Sequence, residues 1–316
     1  MDEFETIAAL FRPLTGGAPE AADLLDDAAF LPPRPGQELV VTTDALVEGV
    51  HFLPDDPPDL VARKLLRVNL SDLAAKAAEP FGYLLTVAWP PHWGEGHRAA
   101  FARGLAEDQA RYGVRLLGGD TVSTPGPFTA SLTAFGYAPE GRVVRRSGAR
   151  PGDAVYVSGT IGDGWLGLQA ARGALTDLGA AAAVLAGRYR LPEPRLELRD
   201  ALRASASACA DVSDGLVADL GHVARASGLG AAIDLSSLPL SDGARLWLDR
   251  QPDRSAALVR LATGGDDYEL VFAAREAPPP AAVPLTRIGA MAAGEGVRVA
   301  LNGTPVEVAQ GGWRHA

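Results

Sequence analysis

The sequence predicts a two-domain protein of α/β or α+β class, with helices and strands mixed in both halves. Three observations carry this. The chain has 316 residues, and domains run to roughly 100–200 residues each. Short apolar runs alternate with stretches of helical period on both sides of the middle. Around residues 146–153 (RSGARPGD) the composition turns to Gly, Pro and Arg. That is linker punctuation, and it sets the expected domains at 1–147 and 148–316.

The elements follow in order. MDEFETIAALF carries Phe4, Ile7, Ala8 and Phe11 at helical spacing, so an amphipathic helix is predicted. Residues 37–43 (QELVVTT) read as a buried strand. After Pro57 and Pro58, VARKLLRVNLSDLAAKAA reads as a helix ending before Pro80. A strand is expected at 83–87, a helix near 99–112, a short strand at 114–117 running into GGD, and a strand at 128–137. The second half restarts with a strand at 154–158, a Gly-rich turn and a helix. Pro192 and Pro194 precede a helix rich in Leu and Arg. DVSDGL opens a further helix ending near Gly228, and 233–235 and 269–273 read as strands. The Ala-rich stretch 180–186 reads as a helix, and the Pro run 278–280 as a surface loop.

The hydrophobic fraction of 47% and charged fraction of 22% are those of an ordinary soluble domain. A net charge of −10 argues against a nucleic-acid partner, because phosphate backbones need basic surface. An anionic small substrate would need added cations, and divalent metal supplies them. The acidic start lacks the basic and apolar pattern of a secretory signal. No apolar run approaches the roughly 18 residues of a membrane span. The only cysteine, Cys209, excludes an intrachain disulfide and suits a reducing compartment. It reads as a small buried apolar residue rather than a nucleophile. A cytoplasmic protein is expected.

Acidic residues recur at element ends beside Gly, Ser and Thr: Asp26 and Asp27 in LLDDAAF, Asp44 after Thr42 and Thr43, Asp72 in NLSDLAAK, Asp120 in GGDT, Asp211 and Asp214 in DVSDGL, and Asp266 and Asp267 in GGDDYEL. Val61, Leu65, Val68 and Asp72 share one helix face. A carboxylate extending an apolar stripe points inward, where an unpaired charge is expensive. Asp211, Ser213 and Asp214 sit before a helix with Leu216, Leu220 and Val223 on its core face, where exposed N–H groups favour anions. Ser213 or Asp214 is also placed to act as its N-cap. This set of oxygen donors suits magnesium. The scattered histidines and the lack of a Cys pair or H-E-x-x-H disfavour zinc. GTIGDG at 159–164 reads as a phosphate nest or as a tight strand-to-helix turn.

At LLDDAAF, TTDALVEGVHF, NLSDLAAKAAEP, RYGVRLLGGDT, RSGARPGDAVYVSGTIGDG, DVSDGLVADL, GGDDYEL and the late Trp313, the chain resembles the thiamine-monophosphate kinase family. These segments occur in the family's order along nearly the whole chain, and TTDALVEGVHF with GGDDYEL is the most specific pair. The resemblance implies the aminoimidazole ribonucleotide synthetase-like fold, with an N-terminal sheet that pairs in a homodimer and an α/β C-terminal domain. It implies ATP-dependent phosphorylation of thiamine monophosphate with Mg2+. The chain agrees in lacking the P-loop G-x-x-x-x-G-K-[ST].

Residue by residue, the resemblance implies Asp27, Thr42, Thr43, Asp44, Asp72, Asp120, Asp211 and Asp214 as the magnesium shell. It implies Gly119, Asp120, Arg146 and Ser213 as ATP contacts, and His51, Asp266 and Trp313 as substrate contacts. Read alone, a lone His51 is more often structural, Trp313 equally reads as closing a core, and Arg145 with Arg146 can also be read as a solvated pair at a linker. The chain departs from the family at Leu25, where Gly is usual, at Asp266, where Glu is frequent, and at Lys76, where a small or apolar residue is common. The dehydratase relatives carry a C-terminal cysteine, and the selenophosphate synthetases a reactive Cys or selenocysteine near the N-terminus. This chain has neither, which favours the kinase.

Overall fold

The computed structural model describes residues 3–313, which form two compact units. One holds the chain up to Leu73 together with Ala78–Gly141; the other holds Ala74–Ala77 and the chain from Arg142 onward. The division thus falls between 141 and 142, where the sequence reading set it between 147 and 148.

In the first unit, α1 (Glu3–Thr6) runs into a π-turn over Ile7–Phe11 and a 3-10 turn over Arg12–Thr15. The predicted regular helix is therefore broken up. Pro13 lacks an N–H and its ring crowds the preceding turn. Phe11 is buried, whereas Phe4 stays 78% exposed. A four-stranded sheet follows in the order β1-β4-β2-β3, from β1 (Gln37–Val47), β2 (Glu79–Trp89), β3 (Leu116–Ser123) and β4 (Thr129–Pro139). The β2–β3 pair is parallel, joined through α3 (Glu95–Tyr112), and the other pairs are antiparallel.

The helix α2 (Pro58–Ala75) buries Val61, Leu65 and Val68, as the apolar stripe predicts. Its Arg67 reaches Asp108 of α3 through Nε and Nη2 at 2.6 and 3.0 Å, and Arg63 Nε adds a contact at 3.1 Å. Trp93 stacks on Phe128 at 3.9 Å, with Trp89 and Phe101 around them. Each such side chain, fully buried, contributes about 1.5–3 kcal/mol.

β1 is not the buried strand expected. It lies at the sheet edge, and Leu39 and Val41 are 46% and 52% exposed. β3 starts later and runs further than expected, taking Gly118, Gly119 and Asp120 into the sheet.

The second unit is built on a seven-stranded sheet, β11-β10-β7-β9-β5-β8-β6. Its strands are β5 (Ala154–Ser158), β6 (Ala206–Asp211), β7 (Gly230–Asp234), β8 (Leu270–Ala274), β9 (Leu285–Ala292), β10 (Val297–Leu301) and β11 (Thr304–Pro305). The helices are α4 (Asp163–Ala171), α5 (Ala180–Arg190), α6 (Arg199–Ser205), α7 (Leu216–Ala226), α8 (Asp242–Leu248) and α9 (Arg254–Ala262). Val155, Val157, Leu166, Leu220, Val223 and Val271 lie in its main core. Cys209 is fully buried in a second cluster with Phe272 and Leu270. Burial pushes its thiol up to about 12. Among the described residues no helix is long and apolar enough to cross a membrane.

Candidate active site

In the first unit the oxygen-bearing residues fall into two groups. The first is built where β1 meets α2. Thr42 Oγ1 donates to Asp72 Oδ2 at 2.5 Å, so the inward-pointing Asp72 meets a hydroxyl instead of a cation. Two residues along, the Asp44 N–H donates to Asn69 Oδ1 at 3.0 Å, while Asn69 Nδ2 is tied to Leu65 O at 2.9 Å. The Asp44 N–H on the free side of β1 is thus satisfied by a helix side chain, which fixes Asp44 in place. Thr43 does not join them. Successive strand side chains take opposite faces, and its hydroxyl donates to Leu132 O at 3.1 Å and accepts from Thr133.

The second group lines a cavity of about 540 Å3. Ile7, Phe11, Leu24, Leu84 and Phe135 give it apolar walls, and Asp26, Asp27, Gly119 and Asp120 give it polar ones. Asp27 donates its N–H to Asp26 Oδ1 at 2.7 Å, and Asp120 Oδ1 accepts the Thr121 N–H at 2.8 Å. Gly119 has φ +150, and a Cβ there would stand 1.8 Å from Leu85 O, so only glycine fits beside β2. Leu25 is 74% exposed, which makes a side chain there compatible with the turn carrying Asp27. Ala45, Ser131, Thr86 and Asp120 form one cross-strand row. Asp120 therefore stands three strand spacings from β1, roughly 14 Å from the Thr42–Asp44 group.

His51 sits in the turn after β1. Its Nδ1 accepts the Val47 N–H at 3.0 Å, and the buried Lys64 donates to His51 O at 3.0 Å. With Nδ1 engaged as an acceptor, the neutral ring carries its proton on Nε2.

In the second unit, the segment between β6 and α7 collects partners from far along the chain. Asp211 ends β6 and is buried. Tyr268 N–H donates to Val212 O, Asp266 N–H to Ser213 O and Trp313 N–H to Asp214 O, each at 2.8 Å. Ser213, Asp214, Asp266 and Trp313 are brought together by these backbone bonds. Trp313 is 57% exposed, so it does not close a core.

The N-cap of α7 is Gly215, not Ser213 or Asp214. Asp219 reaches back instead, accepting the Asp214 and Gly215 N–H groups at 3.1 Å each. Burial, then the nearby Asp214, raise its carboxyl to about 7. Asp214, Asp219 and His222 each place one ligand-type atom within 4.8 Å of the others. Burial lowers the His222 ring, and so does the charge of Arg146, which also acts on Asp219. The exposed Arg146 thus belongs to the same neighbourhood.

The GTIGDG turn is a filled nest. Asp267 Oδ2 accepts the Gly162 N–H at 2.8 Å and Oδ1 the Gly164 N–H at 2.9 Å. The phosphate reading is corrected accordingly: a carboxylate of the chain itself occupies those donors. Asp219, Asn69 and Lys64 escaped sequence reasoning. Asn69 stands three residues before Asp72 and Asp219 eight after Asp211, but each looks like an ordinary helix residue.

The donors fit magnesium. Asp27, Thr42, Asp72, Asp120 and Asp214 offer hard oxygen atoms, and among the described residues no cationic side chain pairs with Asp27, Asp72 or Asp120. Carboxylates without a cationic partner suit a hard cation of this type.

These features, a split carboxylate set and two mixed units, define the AIR synthase related class. Its N-terminal domain model matches residues 25–138 and its C-terminal domain model residues 150–276. The thiamine-monophosphate kinase of Caulobacter vibrioides is 54% identical, covering 99% of this chain and 90% of the relative. The crystal structure of the Stenotrophomonas maltophilia thiamine-monophosphate kinase superposes with a TM-score of 0.77 at 39% identity, covering 90% of this chain and 91% of that one. AaThiL complexed with AMPPCP and TMP superposes with a TM-score of 0.81 at 31% identity, covering 90% and 89%. The chain belongs to the thiamine-monophosphate kinase family.

Proposed function

We propose that the chain carries out its family's reaction, ATP-dependent phosphorylation of thiamine monophosphate to thiamine diphosphate, by direct in-line transfer. The observation that carries this is the backbone bonding that gathers Asp266, Ser213, Asp214 and the exposed Trp313 in one place. An acid and an exposed aromatic residue gathered on one segment would complement the permanently cationic thiazolium of the substrate. The likeness to a relative solved with AMPPCP and TMP supports the same reading.

The substrate brings its own nucleophile. A phosphate monoester has a second pKa of about 6, so it is largely dianionic at pH 7 and needs no general base. One of its oxygens attacks the γ-phosphorus of ATP, the bond to the β-phosphate oxygen breaks, and ADP leaves. Repulsion between two anions is then the main obstacle, and neutralisation and positioning lower it. Asp27, Thr42, Asp44, Asp72, Asp120, Asp211 and Asp214 would hold magnesium, which supplies positive charge between the phosphate groups. The separation of the two oxygen groups in the first unit supports more than one ion. Gly119, Asp120, Arg146 and Ser213 would contact ATP, with the 540 Å3 cavity beside Asp27 and Asp120 offering apolar walls for its base. His51, Asp266 and Trp313 would contact the substrate.

The open apolar edge at Leu39 and Val41 supports a homodimer formed through the N-terminal sheet. The lone, buried thiol suits a cytoplasmic setting. The deciding experiment is turnover of thiamine monophosphate with ATP and Mg2+, followed by chromatographic detection of thiamine diphosphate. Magnesium-dependent product is expected. Absence of product at saturating substrates would refute the reading.

A further inference from the structure

The turn between α9 and β8 is held in a sterically demanding shape. Asp266 has φ +62 and Tyr268 φ +51, although neither is glycine. Side chains crowd the backbone in this left-handed region, so such residues persist where the surroundings over-determine them, commonly at functional sites. Burial alternates along the turn: Asp266 and Tyr268 are half-buried, Asp267 and Glu269 fully buried.

The two buried acids are anchors. Glu269 accepts from Ser158 Oγ at 2.7 Å, from Arg195 Nε at 2.6 Å and from Arg188 Nη2 at 3.0 Å. Asp267 occupies the N-terminus of α4 through its bonds to Gly162 and Gly164. That helix has no side-chain cap of its own at Gly162, and the local Asp163 is turned to Thr160 and Ser241. The contact leaves no slack: a Cβ on Gly164 would stand 2.2 Å from Asp266 O and 2.8 Å from Asp267 N. Burial pushes the Asp267 carboxyl well above the usual carboxylate range, and the two N–H groups offset only part of that rise.

We infer that Asp267 is a positioning residue for substrate recognition: by filling the N-terminus of α4 it holds Asp266 in its left-handed pose beside Ser213 and Asp214. Recognition of the cationic substrate then depends on a carboxylate that never touches it. This rests on the reading of Asp266 as a substrate contact. Asn at 267 would keep one acceptor but turn an NH2 toward the other N–H, loosening the turn. Gly164→Ala would push on the same turn from below without removing any carboxylate.

The test is steady-state kinetics on the wild type, Asp266→Asn, Asp267→Asn, Gly164→Ala and the double variant Asp266→Asn/Asp267→Asn, with thermal melts on all. Expected for Asp267→Asn and for Gly164→Ala is a rise in KM for thiamine monophosphate of about tenfold, with kcat and the KM for ATP within about twofold. The double variant should resemble Asp266→Asn alone, because residues acting through one contact are non-additive. A purely structural role lowers the melt and disturbs both substrates alike, and that pattern overturns the proposal. So does a strictly additive double variant. If Asp267→Asn fails to fold, Gly164→Ala decides: an unchanged KM for thiamine monophosphate overturns the proposal. Should Asp266→Asn raise KM while Asp267→Asn and Gly164→Ala do not, positioning fails and the substrate reading stands. Should the wild type turn nothing over, or Asp266→Asn leave KM unchanged, the substrate reading itself fails and the inference with it.

Discussion

Replacing Trp313 with Ala separates binding from chemistry. The ring is 57% exposed, and its residue is tied to the site by a backbone bond from its N–H to Asp214 O at 2.8 Å. Alanine keeps that bond, so the proposed magnesium ligand Asp214 stays where it is. What disappears is the π-face offered to the thiazolium, contributing about 0.5–2 kcal/mol. At about 1.4 kcal/mol per tenfold, this predicts a rise in KM for thiamine monophosphate of roughly two- to thirty-fold. Loss from ground and transition states alike spares kcat. Trp313→Phe should recover much of the loss by keeping a π-face, and Trp313→Leu less, since it keeps only apolar bulk. Steady-state kinetics on the three variants, with thermal melts, provide the measurement. An unchanged KM in Trp313→Ala together with a lowered melt would rule out stacking on the substrate and make the ring a packing residue.

The other expectations concern the metal shell, the scaffold and the surface. Asp120→Asn and Asp214→Asn should each sharply reduce turnover at limiting Mg2+ without moving the melt; near-normal rates in both would sink the shell. Asp108→Ala takes the buried carboxylate away from Arg67, a loss of about 3–5 kcal/mol, and should lower melting by roughly 6–20 °C in calorimetry. A shift near zero would show the pair to be energetically idle. Sedimentation should give a dimer at micromolar concentration, and Leu39→Glu with Val41→Glu should give monomers; a wild-type monomer counts against the sheet-pairing proposal. Cys209, neutral at pH 8 because burial holds its thiol up at about 12, should resist iodoacetamide in the native protein and react after denaturation, as read by mass spectrometry.

Local pattern was enough for some features. The stripe Val61, Leu65, Val68 announced the buried face of α2 and the inward carboxylate of Asp72, because helical period is a property of neighbouring residues. The strand at Ala154–Ser158 was legible for the same reason. Strands β9 and β10 were not. The residues of LTRIGAMA and VRVAL mix Arg, Gly and Ala with apolar ones, and they become strands by pairing with β5 and β7. Pairing over long sequence separation overrides weak local preference.

The sequence by itself determined the two-part α and β composition, the family and the cast of oxygen donors, since these reside in residue identity and order. Only the tertiary structure decided their partners. It turned Thr43 away from Thr42 and Asp44, because a strand alternates its faces. It gave the α4 N-terminus to Asp267 from more than a hundred residues downstream, because exposed N–H groups take the nearest carboxylate in space. It seated Trp313 beside Asp214 through one backbone bond. Hydrogen bonds of this kind depend on distances that the folded chain creates and that no spacing along the sequence records.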